Sequence, residues 1–130
     1  GLDDRYISDA ERMLGRQAGA SGGYDECYEA VVNTFRGFNV ELVKGSIPDT
    51  LSRVQIDAVA YLSIDMNCVL PEIAAAEYFW DRMLPGSVLV HDDYGGTPFI
   101  EQKRALDVFA KKRDVSVLAL PTGQGLIFKP

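Results

Sequence analysis

The sequence is short of the residues that build disulfide staples and soft-metal sites. It holds two cysteines and one histidine in 130 residues. Cys27 and Cys68 are too few for a disulfide scaffold, and with a lone histidine beside them they are too few for zinc. Both are expected as buried or reduced thiols. Basic residues are also in deficit: 13 Lys and Arg against 19 Asp and Glu leave a formal net charge of −6. That balance argues against nucleic acid or an anionic membrane as a partner. No apolar run approaches the ~18 residues of a membrane span. No secretory leader is legible either, so a cytoplasmic protein is expected. A dinucleotide fingerprint is missing as well. The glycines between Gly19 and Gly23 lack the required spacing and follow no strand, so they read as a linker.

What is present is a mixture of helical and extended patterns of single-domain size. Ser8-Asp9-Ala10-Glu11 is a capping-box pattern, predicting a short helix from Asp9 to about Gln17. A second helix is expected from a cap at Ser21 or Asp25 to about Phe38, with Tyr28, Val31, Val32 and Phe35 on one face. Val40 to Gly45 alternates like a strand. Ile56 to Ile64 and Ser87 to Val90 are the apolar runs of buried strands. Between them a helix carries Pro71 in its first turn and ends near Leu84. Thr97-Pro98 is a cap and first-turn pair for a helix to about Lys112, with Phe99, Leu106 and Phe109 inward. Val115 to Leu120 and Leu126 to Lys129 are strands joined by so short a connection that they must pair antiparallel. The expected architecture is an α/β fold whose sheet is mostly parallel with a reversed last strand.

Two of the apolar runs end abruptly in acid. Ala58 to Ile64 runs into Asp65, and Val88 to Val90 runs through His91 into Asp92 and Asp93. In parallel α/β sheets ligands bind beyond the carboxyl ends of the strands. If the two strands are neighbours, Asp65, Asp92 and Asp93 gather at one mouth. Two like unit charges ~4 Å apart repel by ~4 kcal/mol at an effective dielectric of ~20. Three carboxylates converge at low cost only around a cation. Hard oxygen donors suit Mg²⁺ or Ca²⁺ better than zinc.

Asp65-Met66-Asn67, a helix, Leu84-Pro85-Gly86 and then His91-Asp92-Asp93-Tyr94 together resemble the macrocin O-methyltransferase (TylF-like) family of class I S-adenosylmethionine-dependent enzymes. Val43-Lys44-Gly45 followed by Asp49-Thr50-Leu51, and Pro121-Thr122-Gly123-Gln124-Gly125-Leu126, extend the likeness over about Val40 to Lys129. The resemblance implies a Rossmann-like methyltransferase sheet, with S-adenosylmethionine and Mg²⁺ as cofactors. It implies that Asp65, Asp92 and Asp93 hold the metal, and that the acceptor is a hydroxyl of a sugar or similar small molecule. Gly45 and Ser46 are the positions it assigns to the cofactor. Where many members carry a second aspartate as general base this chain has Asn67, which leaves His91, water or the metal-activated hydroxyl itself to manage the proton. An imidazole titrates near ~6.5, in the range a base needs, but His91 at the end of its strand also reads as a packed strand residue.

Aligned this way, residues 1–130 form one partial methyltransferase domain that begins after the family's first two strands and their Gly-rich loop. The strand at Ala58 would then show an open apolar edge. It is expected to pair with the Val40 strand or with a second copy, giving a homodimer. A non-catalytic metal-binding or oligomerising remnant of the same fold is the alternative reading. A phospho-accepting receiver domain fits less well, because there the acidic pair precedes the acceptor aspartate, whereas Asp65 comes before the pair.

Overall fold

The computed structural model describes residues 3–14 and 27–130. The helices are α1 (Asp9–Met13), α2 (Tyr28–Thr34), α3 (Val69–Trp80) and α4 (Ile100–Lys112). The strands are β1 (Val59–Ile64), β2 (Met83–His91), β3 (Leu118–Ala119) and β4 (Gly125–Phe128). They form one sheet in the order β1-β2-β4-β3. β1 and β2 are parallel, while β4 runs antiparallel to both β2 and β3. The sheet is therefore mixed rather than mostly parallel. The reversed strand lies inside the sheet instead of closing its edge, so one strand creates two antiparallel ladders.

The expected strand at Val40 to Gly45 does not form. Its alternation is real, yet Val40 and Val43 stay exposed, and among the described residues no ladder partner reaches them. An isolated extended segment gains too little to order as a strand. Pairing of β1 with that segment is thus overturned, and β1 is left as a sheet edge. The helix before β2 also ends earlier than the sequence suggests, at Trp80 rather than Leu84. β2 then starts at Met83 and runs straight through Pro85-Gly86, because the amide of Val59 claims the carbonyl of Arg82 and the amide of Gly86 claims that of Lys129. α1 has the predicted capping box, with Ser8 and Glu11 each bonded to the other's backbone. The expected continuation of α1 to Gln17, the caps at Ser21 or Asp25 and the linker at Gly19 to Gly23 lie outside the described residues.

Both α3 and α4 pack on one face of the sheet. In α4, Gln102, Leu106, Phe109 and Ala110 are buried at helical spacing, while the other side is charged. In α3 the small side chains of Ala75 and Ala76 let the helix lie close to the strands. Trp80 meets Phe109 edge to face at 5.3 Å between centroids, joining the two helices. Ile64, Leu89 and Ile127 complete this core from the sheet side. Among the described residues, no helix is long and apolar enough to cross a membrane.

Candidate active site at the strand tips

The parallel ladder of β1 and β2 ends with Ile64 opposite His91. The amide of Asp92 then donates to the carbonyl of Ile64 at 2.9 Å, so Asp65 and the Asp92-Asp93 pair leave adjoining strand tips. The backbone thus brings the three expected acids to one place. Their side chains behave differently from one another. Asp65 is exposed, and its Oδ1 accepts from Asn67 Nδ2 at 3.4 Å. Asn67 makes the turn in the left-handed region, at φ 56°. Asparagine adopts that region more readily than most residues. Asp92 is also exposed, with Oδ1 accepting from Gln124 Nε2 at 2.8 Å.

Asp93 is buried, and its Oδ2 has no hydrogen-bond partner. Burial pushes its pKa up to about 7, and the charges of Glu72, Asp65 and Asp92 push the same way, against a smaller lowering by His91. The donors therefore suit a hard divalent cation in kind, because an orphaned, charge-crowded carboxylate oxygen is what such an ion would satisfy. They are not pre-assembled around one. Among the described residues, no three acidic, histidine or cysteine side chains are arranged to hold a metal ion. The expectation of a converged trio is corrected to adjoining tips with two of the three carboxylates turned toward amide donors.

His91 points into the helix layer, fully buried, with Nε2 3.2 Å from Glu72 Oε2. Glu72 sits in the first turn of α3, and its Oε1 accepts from the Cys68 amide at 3.1 Å. Sequence reasoning missed Glu72. The signal for it was a carboxylate four residues after the turn at Cys68, able to reach back to the helix start. Glu11 was read only as a capping residue, yet it is buried and does more. Its Oε2 accepts from the Ser8 amide and hydroxyl, and its Oε1 accepts from the Val69 amide at 2.8 Å. Two carboxylates thus occupy the amide-rich start of α3, where the helix dipole favours negative charge. Cys68 lies between them, its thiol donating to the Tyr6 carbonyl and pushed up to about 12 by burial and then by the charge of Glu11. Cys27, by contrast, is exposed, and both thiols are free.

The loop after the acids is locked to the hairpin between β3 and β4. The amides of Tyr94 and Gly95 both donate to the Gly123 carbonyl, at 3.2 and 2.6 Å. A Cβ on Gly95 would stand 2.9 Å from the Gly123 Cα, so close approach of two backbones, rather than a sharp turn, is what glycine permits there. The Tyr94 hydroxyl donates to Asp107 at 2.7 Å, and Lys103 donates to both.

No protein-family model and no curated protein sequence matches the chain. Solved structures do. The chain is similar to the O-methyltransferase NovP, with TM-score 0.62 and 17% identity over 98% of this chain and 57% of that one. It is similar to the calicheamicin methyltransferase CalS11, with TM-score 0.71 and 16% identity over 98% of this chain and 56% of that one. The fold is that of these O-methyltransferases.

This chain spans a little over half the length of the two O-methyltransferases it matches. Within the shared fold, Gly45 and Ser46 form a turn beside the first residues of the chain. Gly45 has φ 142°, and a Cβ there would lie 2.4 Å from Thr50 Cγ2, so only glycine fits. The Ser46 hydroxyl donates to Asp3 Oδ2 at 2.8 Å. Arg5 bonds both Asp3 and Asp49, and the Tyr6 hydroxyl donates to Asp49 at 2.5 Å. The Arg5 guanidinium, followed by the Ser46 hydroxyl, holds Asp3 well below the usual carboxylate range. The Tyr6 hydroxyl, followed by Arg5, does the same for Asp49.

Proposed function

We propose that the strand tips serve S-adenosylmethionine-dependent methyl transfer to a hydroxyl of a sugar or similar small molecule, assisted by Mg²⁺. The observation that carries this reading is the meeting of Asp65, Asp92 and Asp93 at adjoining tips, with one buried oxygen left unsatisfied, on a fold shared with two O-methyltransferases. Asp65, Asp92 and Asp93 would hold the metal, and the turn at Gly45 and Ser46 would face the cofactor. When bound, these groups supply an electrophilic methyl and a Lewis acid that lowers the pKa of an acceptor hydroxyl. The chain's own residues do the rest. Asn67 orients Asp65 and can donate to an acceptor oxygen, but it takes up no proton at neutral pH. His91, held against Glu72 beneath the tips, acts on the acids from below and does not itself touch solvent. The partners that follow are a small hydroxyl acceptor and a second copy of the chain.

Isothermal titration of the chain with S-adenosylmethionine, with and without Mg²⁺, tests the reading. Cofactor binding should tighten in Mg²⁺, and Asp92→Asn should weaken Mg²⁺ binding at least about tenfold, by ~1.4 kcal/mol or more, with the far-UV spectrum unchanged. Unchanged Mg²⁺ affinity in that variant removes the site assignment. A second reading, a non-catalytic metal-binding or oligomerising remnant of the fold, draws on the engaged Ser46 hydroxyl. It gains if the chain binds Mg²⁺ but no cofactor.

A further inference from the structure

Glu72 stands where a core helix would ordinarily carry an apolar side chain. It shares the buried stripe of α3 with Ala75 and Ala76, three and four residues on, and is 1% exposed. Burying a carboxylate there costs several kcal/mol that a leucine would not. What the carboxylate adds is two oxygens, and they go to different strand tips. Oε1 accepts from the Cys68 amide at 3.1 Å, one residue beyond Asn67 and three beyond Asp65. Oε2 lies 3.2 Å from Nε2 of His91, the residue immediately before Asp92.

The β1–β2 ladder carries the two strands as far as Ile64 and His91, and the Asp92 amide adds a bond to the Ile64 carbonyl. Past that point the chain leaves β1 toward α3 and leaves β2 toward the loop of Tyr94. A side chain that touches both departing segments fixes their separation much as a further rung would. Its anchors are themselves held. His91 is fully buried, and Val69, next to Cys68, donates its amide to the buried Glu11. Mg²⁺ demands near-ideal octahedral geometry with ligands about 2.1 Å away, so donors drawn from two strands need a set separation.

We propose that Glu72 is a positioning residue, one carboxylate bridging the two tips so that Asp65 keeps a fixed separation from Asp92 and Asp93. Being buried in the helix layer, it acts through Cys68 and His91 rather than on a ligand. The role rests on the metal-assisted reading above, but the bridge itself is readable in the metal-free chain.

Hydrogen exchange without metal tests the bridge. Glu72→Ala should quicken exchange at the Cys68 and Asp92 amides at least about tenfold, while amides elsewhere in β2 and β4 stay protected. Its Mg²⁺ affinity should fall by about ten- to a hundredfold, the range for partners that orient metal ligands. Glu72→Gln keeps an oxygen for Cys68 and offers its amide to a ring nitrogen that can accept, so it should restore affinity to within about threefold. Phe109→Leu loosens the helix layer at the Trp80 end of α3 and should leave Mg²⁺ affinity unchanged. Uniform quickening in Glu72→Ala overturns the proposal, and so does local quickening with unchanged Mg²⁺ affinity. A glutamine variant as weak as the alanine one overturns it too, because charge rather than the bridge would then set affinity. If Glu72→Ala fails to fold, the unaltered chain decides. Its Cys68 amide should exchange as slowly as the strand amides, and fast exchange overturns the bridge. An unaltered chain that binds no Mg²⁺ would instead sink the metal-assisted reading, and exchange alone would then decide the bridge.

Discussion

Asp93 sets burial and charge against each other at a single carboxyl. Its pKa in the folded chain, about 7, lies above the ordinary 3.8, so the folded state holds its proton more tightly than the unfolded chain does. The stability this contributes is complete below about pH 4 and is lost as pH rises through about 7. Asp93→Asn should therefore flatten the fall in stability between pH 4 and 8. At pH 8 it should be the more stable protein, whereas at pH 4 the two should be closely matched. Chemical denaturation at pH 5 and pH 8 measures this, and equal slopes in the two proteins would contradict it. Residue identities at this site were legible in the sequence because each acid directly followed an apolar run. The side-chain directions were not. Asp65 faces the side-chain amide of Asn67 because of a left-handed turn, and Asp92 faces that of a hairpin glutamine, and no spacing reveals either.

At the scale of elements, α1 is one short turn more than a linker, yet it closes the start of α3. Glu11 spans the two helices by accepting from Ser8 and from Val69. Glu11→Gln keeps the size but presents a donor where an acceptor is needed, so it should cost about 2 kcal/mol, as expected for a buried bond partner lost. Hydrogen exchange should quicken at Val69 and in residues 3–14 while the sheet amides stay protected. Uniform quickening would mean the link is not local. The capping box, the amphipathic α4 and the two acid-ended strands were all readable from local pattern. Val40 to Gly45 was not, because alternation specifies a face for a strand without specifying a neighbour. His91 was legible as a packed strand residue, but the burial of Glu72 against it escaped, since contact between a helix start and a strand end is a property of the packed layers.

At the scale of the whole molecule, the described residues give the sheet one helix-covered face and one on which no described helix packs. The helical side is a close-packed core around Leu89, Leu106, Phe109 and Ile127, whereas the other side keeps aromatic rings in water. If two copies associate, as proposed above, the thermal midpoint should climb with chain concentration, since association stabilises the folded state by mass action. A midpoint that is constant across a hundredfold dilution would speak for an isolated chain. The hairpin between β3 and β4 belongs to this scale too, because it carries the far end of the chain back to the acids. Gln124 is held there by a turn pinned through Gly123 to the loop of Tyr94 and Gly95. Adding one residue to that turn would leave every rung of the β2–β4 ladder in register while moving the amide out of range of Asp92. Hairpin length thereby becomes a dial on how much negative charge the mouth of the sheet presents.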